Sequence, residues 1–261
     1  MANRLKDKIC IITGAATGIG QAAAVLFGKE GATQVLTYNE RPITETLNMI
    51  KKGKEKVVAM KCDVTKSKDM KKVMDDTIAK FGRIDVLVLN AGVVRIGPVE
   101  TFSEADYDLL INVNLKGTFY GFKWAIPYLK KQKKGTVVVV SSVSAHIGQT
   151  NHANYASTKA GQLAFTRSVA MDLAPYNVRV NSCSPGATDT PMLQGDVKKR
   201  AKEIGSTYEE VKKKSEASEG VMGRWATPVE IASLILFLAS DESSYMTGID
   251  VLIDGGWTAS S

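Results

Sequence analysis

The sequence has few of the residues that build disulfide-linked or metal-binding proteins. Its 261 residues include three cysteines and two histidines. Cys10, Cys62 and Cys183 lie far apart in strand-like segments, which predicts small buried thiols in a reducing compartment and no disulfide framework or zinc motif. No metal-ligand spacing joins His146 and His152, so we expect no metal site.

The sequence also lacks a long hydrophobic run. The longest helix-like one, Ile231–Ala239, has nine residues and contains Ser233, whereas a membrane-spanning helix needs about 20. The first eight residues are mostly polar and lead directly into a strand-like segment, so no signal-peptide hydrophobic region fits there. The composition, 44% hydrophobic and 23% charged, is typical of a folded chain. We therefore expect a cytoplasmic protein with no membrane partner.

Charge of one sign is not concentrated anywhere in the chain. The formal net charge is +7, but the lysines of residues 130–134 end a helix-like segment and those of residues 198–214 are interspersed with glutamates. No aromatic residues alternate with these lysines, as base stacking would favour. Solvated faces explain this pattern, and we expect no nucleic-acid partner.

Short β-rich segments alternate with helix-compatible ones. Most of the strand-like segments are nearly continuous apolar runs, which indicates that both of their faces are covered, as in a parallel sheet between helices. The predicted strands are Ile9–Thr13, Gln34–Tyr38, Lys56–Met60, Ile84–Leu89, Thr136–Ser141, Arg179–Cys183 and Ile249–Ile253. The predicted helices between them include Ile19–Glu30, Ser67–Phe81, Asp106–Lys131 and Tyr155–Leu173. This order predicts an α/β fold, a doubly wound seven-stranded parallel sheet of the Rossmann type.

We interpret residues 1–261 as a single domain, because no repeat or low-complexity linker divides them. The segment from Met192 to Met222 is rich in Lys, Glu, Ser and Gly and follows the sixth strand, at the sheet edge where ligands bind. It is predicted to form a substrate lid at about 190–222; the alternative is an exposed helical hairpin with no role.

A glycine-rich loop follows the first strand. Gly14 permits a sharp turn, Gly18 lets the backbone approach a pyrophosphate at the positive helix end, and Gly20 allows close helix–strand packing. Glycines at such a turn also occur for purely structural reasons. The position directly after the first strand favours dinucleotide binding.

A second group of polar residues fits proton transfer. Tyr155 and Lys159 are four residues apart and share one helix face, and Ser142 ends a buried strand. A tyrosine with a pKa near ~10 is a poor base at neutral pH, and we expect the lysine ammonium to lower that pKa. The serine hydroxyl is expected to hydrogen-bond the same substrate oxygen.

Several independent motifs together carry a resemblance to a known family. They are Thr13–Gly20, Cys62-Asp63-Val64, Asn90-Ala91-Gly92, Asn114, Ser142, the Tyr155–Lys159 pair, Pro185-Gly186 and the ending Tyr245–Gly256. With them, the sequence resembles the short-chain dehydrogenase/reductase family, in its single-domain branch, over nearly its whole length.

The resemblance implies four catalytic residues. Tyr155 would be the acid/base, Lys159 would bind the nicotinamide ribose and lower the tyrosine pKa, and Ser142 would orient the substrate oxygen. Asn114 would hold a water that links Lys159 to solvent, although a helix-interior amide serving backbone groups is the alternative.

The resemblance also implies a set of cofactor-binding residues. Asp63 would accept from the adenine amino group and Asn90 would border the adenosine pocket; a turn acid and a strand-ending turn are the alternatives. The full set is Gly14, Thr17, Gly18, Ile19, Tyr38, Asn39, Arg41, Asp63, Val64, Asn90, Ala91, Gly92, Tyr155, Lys159, Pro185, Gly186, Thr188 and Thr190.

The choice between NAD and NADP depends on the end of the second strand. An acid there would bond the ribose 2′-hydroxyl of NAD, but the position holds Tyr38, followed by Asn39. Arg41 could bind a 2′-phosphate, whereas the negative charge of Glu40 would repel it. Thr17 occupies a position in the glycine loop at which many NADP-using relatives have a basic residue. The pattern favours NADP over NAD, with dual use open.

We therefore predict an NAD(P)-dependent enzyme that interconverts a secondary alcohol and a ketone. The predicted substrate is a compact cyclic alcohol, sugar or steroid; a 3-oxoacyl-thioester reductase and a non-enzymatic dinucleotide-binding regulator are the alternatives. The resemblance also implies a homotetramer, with small residues on the helix after Tyr155 allowing close helix approach. Those residues are Ala156, Ala160, Gly161 and Ala164.

Overall fold

The computed structural model describes residues 3–50 and 56–260 of the chain. Its strands are β1 (Ile9–Ile12), β2 (Thr33–Tyr38), β3 (Val57–Lys61), β4 (Val86–Leu89), β5 (Gly135–Val140), β6 (Val178–Pro185) and β7 (Asp250–Ile253). They form one parallel sheet in the order β3-β2-β1-β4-β5-β6-β7. The predicted seven-stranded Rossmann-type sheet is thus confirmed, with the direction of strand addition reversing between β1 and β4.

Helices cover both faces of this sheet. They are α1 (Gly18–Lys29), α2 (Thr44–Ile50), α3 (Ser67–Phe81), α4 (Glu104–Leu110), α5 (Gly117–Gln132), α6 (Ala153–Leu173), α7 (Pro191–Glu203), α8 (Tyr208–Ser218) and α9 (Pro228–Ala239). One core cluster joins β-sheet residues to α1 and α9, and a second joins the opposite sheet face to α3, α5 and α6. All four residues of β1 and all four of β4 are buried, as expected of strands covered on both faces.

The predicted helix over 106–131 is not continuous. After α4, residues Ile111–Lys116 form a π-helical segment, and α5 begins at Gly117. Single π turns inside helices often occur at functional sites, and this one contains Asn114. Helix α2 was not among the predicted helices, and it packs Ile50 and Thr46 inward beside α1.

The segment predicted as a lid folds into α7 and α8. These helices enclose a small apolar cluster in which Val197, Ala201 and Val211 surround Trp225. The Trp225 Nε1–H donates to Ser215 Oγ at 2.9 Å. The segment is therefore an ordered helical pair with its own core.

The described cysteines are free thiols, and all three are buried as predicted. In the described ranges, no helix combines the length and the apolar character needed to cross a bilayer. The same residues contain no group of three metal-ligating side chains.

Candidate active site

The glycine loop opens the positive end of α1. Gly14 and Gly18 have φ of +68° and +60°, where glycine is favoured. Gly20 packs so closely that an added Cβ would lie 2.3 Å from the Gly14 carbonyl oxygen. The N-cap Thr17 makes no side-chain capping bond, and the first turn of α1 carries no acid. The N–H groups at this helix start therefore remain available to an anion such as a pyrophosphate.

Residues after β4 hold the glycine loop in place. The Asn90 side-chain amide donates to Thr13 O at 2.9 Å and to Gly14 O at 3.2 Å. The Thr13 hydroxyl accepts from the backbone N–H groups of Asn90 and Ala91. Asn90 therefore supports the loop itself, as a strand-ending turn residue does, and its place beside an adenosine pocket stays a prediction. Thr13, to which the sequence analysis gave no role of its own, joins the ends of β1 and β4.

Asp63 lies in a turn after β3, and both of its carboxylate oxygens have partners within that turn. Its Oδ1 accepts from the Thr65 N–H at 3.0 Å and from the Thr65 hydroxyl at 2.7 Å, and Lys66 Nζ lies 3.4 Å from Oδ2. Burial works to raise the pKa of Asp63, but these hydrogen bonds outweigh it and lower the pKa below its usual value. Asp63 is thus an ionised acceptor that serves its own turn, as the alternative interpretation expected, and its bond to the adenine amino group stays a prediction. Val64, beside it, packs against Gly117.

The end of β2 presents the residues predicted to choose between the cofactors. Tyr38 is half-buried, while Asn39, Glu40 and Arg41 are exposed. Thr17, half-buried, stands at the start of α1.

The loop after β6 borders the same crevice. Gly186 packs on Asp254, where an added Cβ would lie 2.8 Å from Cα. Thr188 pairs with Ala226 as an isolated parallel bridge. Thr190 caps α7 by accepting from the Leu193 N–H, and its Cγ2 would lie 3.1 Å from a Cβ added at Gly18. The structure thus brings Thr190 of this loop against Gly18 of the glycine loop, while Pro185 ends β6 and pairs with Ile253 of β7.

Ser142 follows β5 and begins a short 3-10 turn, Val143–Ala145. Its Oγ accepts from the Ser144 N–H at 3.2 Å and donates to Ser144 Oγ at 3.3 Å. Ser144 Oγ in turn donates to Gln149 Oε1 at 2.5 Å. This chain of hydroxyl and amide groups fixes the Ser142 hydroxyl, and sequence reasoning did not assign Ser144 and Gln149 to the catalytic group.

Helix α6 carries Tyr155 and Lys159 on one face, as predicted. Lys159 Nζ lies 5.7 Å from the centre of the Tyr155 ring and donates to Val140 O at 3.0 Å. Lys159 is 4% exposed. Hydrogen bonding with Ser142 works to lower the pKa of the Tyr155 hydroxyl. Ser142, Tyr155 and Lys159 are therefore brought together at the carboxyl ends of the central strands.

The expected lowering of the tyrosine pKa is not found. Burial raises the pKa of Tyr155 to about 12, and the hydrogen bond from Ser142 offsets only part of this. Burial lowers the pKa of Lys159 to about 8, against a small opposing effect of Cys183. Desolvation is thus the largest influence on both pKa values, because it disfavours the charged phenolate and the charged ammonium alike. Tyr155 in this state is held as a neutral proton donor.

Asn114 is fully buried on the π-helical segment. Its side-chain Oδ1 accepts from the Val93 N–H at 2.8 Å, and its Nδ2 donates to Val93 O and to Thr158 Oγ1. The Asn114 side-chain amide therefore hydrogen-bonds backbone groups, as the alternative interpretation expected. Its side chain also approaches Gly92, where an added Cβ would lie 3.3 Å from Oδ1.

Comparison with known proteins agrees with this geometry. A family model described as enoyl-(acyl carrier protein) reductase matches residues 14–258. The 3-oxoacyl-(acyl-carrier-protein) reductase FabG of Thermotoga maritima is 42% identical over 97% of this chain and 98% of its own. The chain belongs to the short-chain dehydrogenase/reductase family.

Two further relatives of this short-chain dehydrogenase/reductase differ in what they act on. The cyclopentanol dehydrogenase of Comamonas sp. is 34% identical over 98% of this chain and 99% of its own. The crystal structure of levodione reductase superposes with a TM-score of 0.93 at 30% identity, covering 98% of this chain and all of that one. The protein is accordingly an oxidoreductase of CH–OH and keto groups that uses a nicotinamide dinucleotide.

The residues present fit such a dinucleotide. Free N–H groups at the start of α1 suit its pyrophosphate, and the ionised Asp63 suits an amino group on the adenine. The buried Lys159 ammonium, bordered by Gly92 at the crevice, suits the ribose hydroxyls.

Proposed function

We propose that the protein reduces ketones to secondary alcohols, or runs the reverse reaction, with Tyr155 as the acid/base. A nicotinamide held beside Lys159 would supply the hydride for reduction and accept it in oxidation. Tyr155 gives its hydroxyl proton to the carbonyl oxygen as the C–H bond forms, and takes it back in oxidation. The observation that carries the proposal is the placement of the half-buried Tyr155 next to Ser142 on one side and to Lys159 on the other, with Lys159 Nζ 5.7 Å from the centre of the Tyr155 ring.

Ser142 and Lys159 support this proton transfer. The Ser142 hydroxyl donates to Ser144 Oγ in the structure. When a ketone binds, this single hydrogen would turn to the carbonyl oxygen and stabilise its developing negative charge. Lys159 orients the cofactor ribose and stabilises the phenolate that Tyr155 leaves behind. Asn114 keeps the π-helical turn in place next to Lys159.

We propose a compact cyclic alcohol, sugar or steroid as the substrate. The cyclopentanol dehydrogenase and levodione reductase relatives support the cyclic class. A 3-oxoacyl thioester is the second candidate, and the FabG relative favours it. The match to FabG spans nearly all of both chains, so the length of the segment over 190–222 does not separate the two classes. We propose that this segment, α7 and α8, closes over the substrate.

We propose NADP as the preferred cofactor. Tyr38 leaves the end of β2 without the acid that would repel a 2′-phosphate, and the exposed Arg41 offers it a cation. Assays of cyclic ketones, cyclic alcohols, sugars and 3-oxoacyl thioesters, followed at the nicotinamide absorbance with each cofactor, test substrate and cofactor together. A higher kcat/KM with NADPH is expected, and Arg41→Gln should lower it while sparing kcat/KM with NADH. A strong preference of the native protein for NADH would contradict this part.

We also propose a homotetramer in the cytoplasm. Three exposed apolar side chains on α4, α5 and α6, Tyr107, Phe119 and Met171, support an interface there, and Ala160 and Ala164 on α6 are exposed as a close helix contact requires. Gly161 lies against Leu115 of its own chain, and its part in the helix contact stays a prediction. Sedimentation velocity is expected to give a tetramer; a monomer would reject it. The free, buried cysteines support a reducing compartment.

A further inference from the structure

A buried glutamine lies beside the catalytic lysine. Gln162 is 1% exposed and lies on α6 in the turn after Lys159. A side-chain amide in such a position costs free energy unless its polar atoms are hydrogen-bonded. Its Oε1 accepts from Lys159 Nζ at 3.1 Å, and its Nε2 donates to Asn114 O at 2.9 Å and to Thr118 Oγ1 at 2.8 Å. Every polar atom of the amide is therefore used.

The chemistry of these partners admits only one orientation of the amide. Asn114 O is an acceptor only, and Lys159 Nζ as an ammonium is a donor only. A flipped amide would place its NH₂ group against the ammonium and its oxygen against the Asn114 carbonyl. The network therefore fixes the carbonyl of Gln162 toward Lys159.

The π-helical segment makes this connection possible. Asn114 O accepts from Thr118 Oγ1 at 2.7 Å as well as from Gln162. Its two lone pairs are thus occupied by side-chain donors. Gln162 consequently forms a direct side-chain bridge between Asn114 and Lys159, the two residues that the family resemblance joins through a water.

The bridge also fixes the direction of the ammonium. Two of the three N–H bonds of Lys159 Nζ go to Val140 O and Gln162 Oε1. The remaining side of Nζ borders Gly92, where an added Cβ would lie 3.7 Å away. Anchoring two donors leaves the third for the crevice in which Tyr155 and the cofactor ribose meet.

We infer that Gln162 is a positioning residue, which holds the Lys159 ammonium toward Tyr155 and the cofactor and ties it to Asn114. The inference rests on the proposed role of Lys159. Gln162 touches neither substrate nor cofactor, and it acts by setting the direction and the protonation of Lys159.

The test is the pH profile of kcat/KM for the reduced cofactor, because this ratio reports ionisations of the free enzyme. Cofactor binding needs Lys159 as an ammonium, and its pKa of about 8 predicts activity that falls as pH rises through that value. Tyr155 and Cys183 are the titratable groups that face Lys159 in the described chain. Burial raises the pKa of each to about 12, so neither accounts for a fall near 8.

Two substitutions are expected to move this fall in opposite directions. Gln162→Leu removes an acceptor from the ammonium, which lowers the Lys159 pKa and moves the fall to lower pH by about one unit. It should also lower kcat/KM at pH 7 about ten-fold, mainly through a higher cofactor KM. Gln162→Glu places a carboxylate there, which raises the Lys159 pKa and moves the fall to higher pH.

A merely structural role would give a different result. Both substitutions disturb the bond to Asn114 O, so both are expected to lower the melting temperature. If they do so while the fall stays at the native pH, the inference is overturned. The matched control is Thr166→Val, a buried hydroxyl on α6 that donates to Gln162 O but does not contact Lys159, and it should leave the pH profile unchanged. If Gln162→Leu does not fold, a Gln162→Glu profile that coincides with the native one is sufficient to overturn the inference.

A separate variant distinguishes failure of this inference from failure of the proposed function. Lys159→Met is expected to abolish activity and to raise the cofactor KM strongly. If Lys159→Met keeps native activity, the proposed active site is wrong. If Lys159→Met is inactive and both Gln162 variants match the native profile, only the role of Gln162 is wrong.

Discussion

Tyr155→Phe is expected to lower turnover by about 10²–10⁴-fold, the range attributed to a positioned general acid or base. Phenylalanine keeps the ring beside Lys159 but has no proton to give to the carbonyl oxygen. Since the ring packing and the glycine loop are unchanged, cofactor affinity and the melting temperature should stay close to native values. Turnover is measured at the nicotinamide absorbance, and cofactor affinity by quenching of protein fluorescence.

Tyr176→Phe is the matched control for this substitution. Tyr176 is also half-buried, and it packs at the end of α6 against the core beneath α5, in contact with Lys130. Removing its hydroxyl should leave kcat unchanged. A Tyr155→Phe enzyme that turns over at the native rate would remove Tyr155 from the reaction, while loss of both activity and cofactor binding would indicate a folding defect.

Gly20→Ala is expected to raise the cofactor dissociation constant about ten-fold or more and to lower the melting temperature by several degrees. The new Cβ would lie 2.3 Å from Gly14 O and 2.5 Å from Asn90 Nδ2. Because Gly14 O is a backbone atom, the glycine loop itself must shift to make room for the new Cβ. Overpacking of this kind costs about 1–3 kcal/mol, and about 1.4 kcal/mol corresponds to a ten-fold change in affinity.

Gly195→Ala is the corresponding control. Gly195 lies inside α7, and nothing lies within 4 Å of a Cβ added there. Alanine in that helix interior should stabilise the protein by about 1 kcal/mol and leave cofactor affinity unchanged. Native affinity in the Gly20→Ala protein would show that the loop does not need its close contact with α1 to bind the dinucleotide.

The sheet was predictable because the residue pattern of its strands shows that both faces of each strand are buried. Continuous apolar runs such as the one now seen as β4 require cover on both faces, and the structure provides it. The interruption of the helix over 106–131 was not predictable, because nothing in the spacing of its apolar residues marks a π-helical turn. The Asn114 carbonyl in that turn accepts from Gln162 of α6, a partner that is distant in the sequence.

The candidate site also has features that the sequence could predict and features that it could not. Tyr155, Lys159 and Ser142 could be selected from spacing and from resemblance, and the fold does bring them together. The direction of the Tyr155 pKa shift could not, because it depends on how far the folded chain removes the phenol from water. Sequence reasoning left Gln162 out because a lone glutamine in a helix is usually exposed.

The central claim is that one hydride and the Tyr155 proton are added to a ketone in each turnover. The most direct measurement incubates the protein with NADPH or NADH and a panel of cyclic ketones and 3-oxoacyl thioesters, and quantifies cofactor consumed and alcohol formed. The account predicts one alcohol for each cofactor oxidised with at least one ketone, and no alcohol above background with Tyr155→Phe. Tight cofactor binding without alcohol formation from any of these ketones would contradict it, and would favour a dinucleotide-binding regulator.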